Sequence, residues 1–190
     1  MESKAYINFR AQVHKQSIDF LMRIFGDLIS KNIKDVTLIV SSSGGQVQPA
    51  LDFYDFARGL PITIATYTIG QVASAAIVIY CVAEKRYAHS RSKFLIHGIH
   101  GDVKGFSIKD MKEKIMPNLT DQSNKIAEII AEATKKTKSD VEEDMTEEKE
   151  LSAEKAIEYG LVTVSIDDQP IKMIGAPVIT IGDDLFKDKR

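Results

Sequence analysis

The sequence has one cysteine and no long apolar run, and each shortage removes a class of protein. A lone thiol, Cys81, excludes an intrachain disulfide framework and suits a reducing compartment, so a cytoplasmic location is expected. The longest apolar stretch, Val72 to Ala83, is broken by Ser74. It falls well short of the roughly 20 residues a spanning helix needs, so no membrane partner is expected. The opening MESKAYINFR lacks the apolar core of a secretory signal. Charge of one sign is also missing: 25 Lys and Arg face 27 Asp and Glu, a formal net charge of −2. Without a basic stripe, no nucleic-acid partner is expected.

What is present is an ordinary globular chain of 190 residues, 44% apolar and 27% charged, enough for one domain with a proper core. Strands alternate with helices. DVTLIV (35–40) and ITIATYT (62–68) are short and rich in β-branched residues, and helices are expected over 17–30 and 47–58. Gly59 and Pro61 close the second helix. This spacing predicts βαβ units and a mostly parallel, buried sheet. KFLIHG (93–98) is a further strand. A long helical segment follows, with Ile108, Met111, Ile115, Leu119, Ile126, Ile129, Ile130 and Ala133 on one face. Pro117 is expected to kink or split it. LSAEKAIEYGLV (151–162) reads as a short helix with Ser152 as N-cap and Gly160 just past its end.

Chemistry concentrates in three stretches. In YTIGQVASAA, Ser74 falls where a strand passes through Gly70 into an apolar helix. Free N–H groups and the positive dipole end at a helix start suit a nucleophilic alkoxide and the oxyanion it creates. A capping or core serine fits the same residues, and the Gly-x-Ser-x-Gly elbow of the α/β-hydrolases is absent. In SSSGGQV, the Gly45 N–H is a candidate oxyanion donor, though a plain turn reads the same way. In FLIHGIHG, His97 ends an apolar strand, as a general base or as a core histidine. His100 completes a His-x-x-His with no further ligand cluster, so neither a metal nor another cofactor is expected. His14 and His89 have no supporting context and read as surface residues. The acidic stretch SDVEEDMTEEKELSAEKA (139–156) offers several carboxylates to orient a base, and spacing does not choose among them.

Taken in order, VSSSGG, GQVASAA, FLIHG and ELSAEKAIEYGLV resemble the proteolytic subunit of the Clp protease, over about residues 7 to 164. The resemblance implies an α/β fold of the crotonase-like kind, with repeated ββα units and a protruding handle helix. It implies a single ClpP-like peptidase domain over 1–190, with the handle at about 99–137 and an extra tail at about 167–190. It implies a serine endopeptidase with Ser74 as nucleophile, His97 as base, and Gly45 and Ala75 as oxyanion donors. Anchored on LSAEKA, the orienting acid falls on Glu148, with Asp144 as the fallback. It further implies a homo-oligomeric ring, heptameric or stacked in a double ring, that takes peptides or unfolded protein.

The sequence departs from the family at several points. Ser43 stands where the family has proline, Ala76 where it has glycine, and Gly98 where it has glutamine. The family's axial loop and following helix are expected to be absent, since the first strand is expected near residue 5, and coupling to a Clp-type ATPase is expected less than peptide hydrolysis. APVITIGDDLF (176–186) could add a strand. Two other readings stay open: a ring-forming partner with weak or no catalysis, and a serine–lysine dyad hydrolase like the signal-peptide peptidases, with Lys93 the nearest lysine by position. An acyl-CoA enzyme of the crotonase kind fits less well, having no use for a Ser–His pair.

Overall fold

The computed structural model describes residues 4–100, 107–164, 166, 167, 173 and 175–186. Among the described residues, two sheets organise the chain. The larger has six strands in the order β8-β5-β3-β2-β1-β9: β1 is Lys4–Arg10, β2 Asp35–Val40, β3 Thr63–Thr68, β5 Lys85–His89, β8 Ile166–Asp167 and β9 Val178–Gly182. All of its pairings are parallel. The smaller sheet holds β4 (Gln71–Ala73), β6 (Lys93–Ile96) and β7 (Lys149–Ser152), with β6 and β7 antiparallel. Consecutive strands go to different sheets before a helix follows: β3 and β4 lead into α3 (Ala75–Tyr80), and β5 and β6 lead towards α4 (Ile108–Asp110). This is a ββα repeat.

Burial follows from composition. After Asp35, every residue of β2 is buried, as expected for a parallel strand covered on both faces. Helix α1 (Lys15–Ser30) turns Ile18, Leu21, Phe25 and Leu28 inward, and α2 (Val47–Arg58) turns Ala50, Leu51, Phe53 and Ala57 inward. Helix α3, AAIVIY, has no polar face and is buried throughout. Its one hydroxyl, on Tyr80, donates to the Tyr87 carbonyl at 2.8 Å.

The long helical segment departs from the one-face expectation. It comprises α4, a π-helical turn over Met111–Ile115 and α5 (Met116–Thr134). Pro117 lies in the first turn of α5. Proline removes an N–H and crowds the carbonyl four residues earlier, and the widened π turn just before it accommodates that mismatch without a break. Only the second half packs on the core, through Ile126, Ala127, Ile129 and Ile130, while Ile108 and Met116 are exposed. Residues 101–106 of the expected handle, and 168–172, 174 and 187–190 of the tail, lie outside the described residues. Among the described residues no helix is long and apolar enough to cross a membrane.

Candidate active site

Strand β4 delivers the chain to Ser74, and α3 begins at the next residue. Ser74 is the N-cap residue, with φ 56° and ψ −132°. A positive φ in a side-chain-bearing residue costs about 1–3 kcal/mol and persists only when its surroundings impose it. Here both flanks are pinned. The Ser74 N–H donates to the Leu95 carbonyl of β6 at 3.0 Å, and the Ser74 carbonyl accepts from Ile77 N–H at 2.9 Å. The hydroxyl makes no capping hydrogen bond. The result is a strained strand-to-helix elbow built without the usual glycine signature.

Room for the elbow comes from across the cleft. Gly44 (φ 93°) lies against it: a methyl at that position would sit 2.6 Å from the Ala73 carbonyl oxygen, 2.7 Å from Ser74 Cβ and 3.1 Å from Ala75 N. Gly45 (φ 144°) presses on the other wall, where a methyl would overlap the Val13 carbonyl oxygen. Val13 N–H donates to the Gly44 carbonyl at 2.8 Å, and Gln46 N–H donates to the Val13 carbonyl at 2.7 Å. The N–H groups of Gly45 and Ala75 have no backbone partner among the described residues. Ser74, His97 and Gly45 line one cavity of about 550 Å³, together with Gln12, His14, Ile99, His100 and Gln122.

His97 follows β6 and is half-buried. Its Nδ1 lies 2.6 Å from the Gly98 carbonyl oxygen. A carbonyl only accepts, so Nδ1 carries the proton in that contact and Nε2 is left as the basic nitrogen. His100 stands beside it, with ring centroids 5.0 Å apart.

The two candidate acids are held elsewhere in this structure. Glu148, at φ 54°, directs its carboxylate to His100, with Nε2 to Oε1 at 3.4 Å. Asp144 is buried; it accepts from Tyr159 Oη–H at 2.6 Å and is bound by the Lys149 ammonium. That hydrogen bond holds the Lys149 ammonium above its ordinary range. Burial first, then the bond to Asp144, pushes the Tyr159 phenol up. Gly98 N–H donates to the Met145 carbonyl at 2.8 Å, which brings the residue after Asp144 to the residue after His97. Neither carboxylate is bonded to His97 among the described contacts.

The remaining histidines are not the surface residues their sequence context suggests. His14 caps α1, accepting from Ser17 N–H through Nδ1 at 3.2 Å, and His89 is buried, accepting from Arg91 N–H at 3.1 Å. Short polar residues are the common N-caps, which is why His14 gives no signal in the sequence. Lys93 is exposed at the start of β6 and does not line the cavity. A second cavity, about 620 Å³, is lined by Tyr54, Arg58, Cys81 and Arg86 among others, with no histidine. The Cys81 thiol there is pushed up to about 11, by burial against the opposing pull of Arg86. No three His, Cys, Asp or Glu side chains among the described residues gather as a metal site.

Two sheets of ββα repeats with a projecting helix define a crotonase-like α/β fold. A solved ClpP1 mutant from Listeria monocytogenes shares it, with a TM-score of 0.78 over 86% of this chain and 91% of that one, at 23% identity. The Clp protease family profile matches residues 1–169, and the chain belongs to that family. ATP-dependent Clp protease proteolytic subunit 2 from Chlamydia trachomatis serovar D and from Chlamydia muridarum are each 33% identical over 131 residues. Those alignments cover 68% of this chain and 64% of each relative's length.

Proposed function

We propose that this chain is a serine endopeptidase of the Clp type, acting on peptides or unfolded protein within a homo-oligomeric ring in the cytoplasm. The observation that carries the reading is the Ser74 elbow: an uncapped hydroxyl on a strained turn, sharing one cavity with His97 and Gly45. Ser74 Oγ attacks the scissile carbonyl carbon as His97 Nε2 takes its proton. The carbonyl oxygen becomes an oxyanion facing the Gly45 and Ala75 N–H groups. The C–N bond then breaks as the imidazolium returns the proton to the leaving amine, and water releases the acyl group by the same steps in reverse. Asp144 suits the orienting role better than Glu148. It is buried and neighbours Met145, which is tied to Gly98, whereas Glu148 is exposed and engaged with His100. Each Asp144 oxygen keeps a second lone pair for an imidazole N–H. The exposed Ile108 and Met116 of the projecting helix suit burial between rings.

A fluorophosphonate probe tests this directly. Labelling at Ser74, lost in Ser74→Ala and in His97→Ala, is the expected result; labelling that survives His97→Ala would remove His97 as base. Ser74→Ala should cost on the order of 10⁴-fold in peptidase rate. A ring partner with weak catalysis is favoured by one feature, the His97 Nδ1 contact with a carbonyl in place of a carboxylate. It predicts ring-sized particles by light scattering without labelling.

A further inference from the structure

We infer that the carboxy-terminal segment Val178–Phe186, which lies beyond the residues matched to the family, positions the oxyanion turn of the site. β9 extends the main sheet by pairing with β1 from Tyr6↔Val178 to Arg10↔Gly182. The 3-10 turn Asp183–Phe186 then reaches the strip that leaves β1. Gln12 N–H donates to Asp183 Oδ1 at 2.6 Å. The Phe186 and His14 rings pack edge to face at 5.1 Å, and the Phe186 and Phe20 rings do so at 6.2 Å.

Between these two anchors lies Val13. Its N–H and carbonyl hold Gly44 and Gln46 on either side of Gly45. The same strip is fixed once more by Ser42 Oγ–H, which donates to the Ala11 carbonyl at 2.8 Å. The tail therefore grips Gln12 and His14, and the residue between them grips the turn that carries the Gly45 N–H. The methyl-free face of Gly45 sits hard on Val13. A shift of this strip consequently moves the donor, and an oxyanion donor acts only when it points at the developing charge. Asp183 and Phe186 are positioning residues, not catalytic ones. Gln12 and His14 also line the cavity.

The inference rests on the reading of Ser74 and Gly45 given above. Its test compares Asp183→Ala and Phe186→Ala with Asp183→Asn and Phe186→Tyr in the full chain. Asparagine keeps an oxygen acceptor for Gln12 N–H, and tyrosine keeps the ring edge. Ser74 phosphonylation and kcat on a short fluorogenic peptide should fall about tenfold in the alanine variants with KM held. The conservative variants should return both towards wild type. Amide hydrogen exchange over Gly44–Gln46 should speed up in Asp183→Ala at a temperature where melting curves show it folded. Wild-type labelling rates and exchange in both alanine variants would overturn the inference. If the wild-type chain takes no label, the peptidase reading fails, and exchange alone decides: faster exchange in Asp183→Ala supports the coupling and unchanged exchange overturns it. Should one alanine variant fail to fold, the other carries the comparison.

Discussion

At the scale of single residues, the site depends on places where a side chain is missing. Gly44 lets the Ser74 elbow close, because any Cβ there would overlap the Ala73 carbonyl and Ser74 Cβ. Gly44→Ala should destabilise the fold by about 1–3 kcal/mol, since it adds a forced positive φ to a steric clash. It should also reduce fluorophosphonate labelling of Ser74 by a larger factor than the stability loss explains. Labelling at the wild-type rate would show that the elbow does not need this gap. The acid is decided by a second pair of variants. Asp144→Asn should lower kcat by about 100-fold or more, while Glu148→Gln should leave it within about threefold, as expected for an exposed pair that is screened by solvent. The reverse ranking would return the role to Glu148. Asparagine at 144 still accepts from Tyr159, so a fall in kcat with an unchanged melting temperature would separate orientation of His97 from packing.

At the scale of elements, much was legible in the sequence, and the failures have physical causes. The bounds of β2 and α2 follow from a β-branched run ended by glycines and from a Gly-Pro stop, and the Ser152 and Gly160 caps of α7 (Ala153–Tyr159) are where the sequence puts them. β4, β5 and β7 are three to five residues long, too short for a period to register, and exist because neighbouring strands offer them ladder partners. The acidic run hides a real helix, α6 (Lys138–Thr146), started by the Thr137–Asp140 capping box. Ser74 was visible as a helix-start serine; its strained dihedrals were not, because Gly44, which makes room for them, is thirty positions away in the chain. Arg86 was invisible for a similar reason. Its buried guanidinium donates to the carbonyls of Ala83, Ala133, Gly160 and Leu161 at 2.6–3.0 Å, tying β5 to the ends of α5 and α7. Removing it leaves buried acceptors without donors, at about 1–3 kcal/mol each. Arg86→Ala should therefore lower the urea midpoint strongly, by more than Lys85→Ala on the exposed neighbour. Because Arg86 lies outside the Ser74 cavity, the folded fraction should still take the fluorophosphonate label; loss of label in folded Arg86→Ala would tie this girder to the site.

At the scale of the whole molecule, burial shifts the Cys81 thiol and three phenols in the same direction, and those shifts set a response of stability to alkali. Burial raises the Cys81 thiol from 9.0 to about 11. Burial likewise raises the phenols of Tyr80, Tyr54 and Tyr159 above their ordinary 10.0. In each case the folded chain keeps a proton that the unfolded chain gives up first. Their contribution is thus fully present below about pH 9, where both states are protonated, and is lost as pH rises past the unfolded values and through the raised folded ones. Each such group removes about 1.4 kcal/mol per pH unit once its unfolded form is ionised and its folded form is not. Unfolding by urea should accordingly show a level midpoint from pH 7 to 8.5 and a steepening fall from pH 9 to 11. Cys81→Ala creates a small cavity and should be less stable at every pH, yet its decline between pH 9 and 10 should be shallower, because the earliest-titrating group has gone. Parallel curves for the two proteins would mean that Cys81 ionises alike in both states and is not sealed as its burial requires. Reaction of the thiol with iodoacetamide at pH 8 provides the independent check: slow in the folded chain, fast in urea, with the rate following the unfolded fraction.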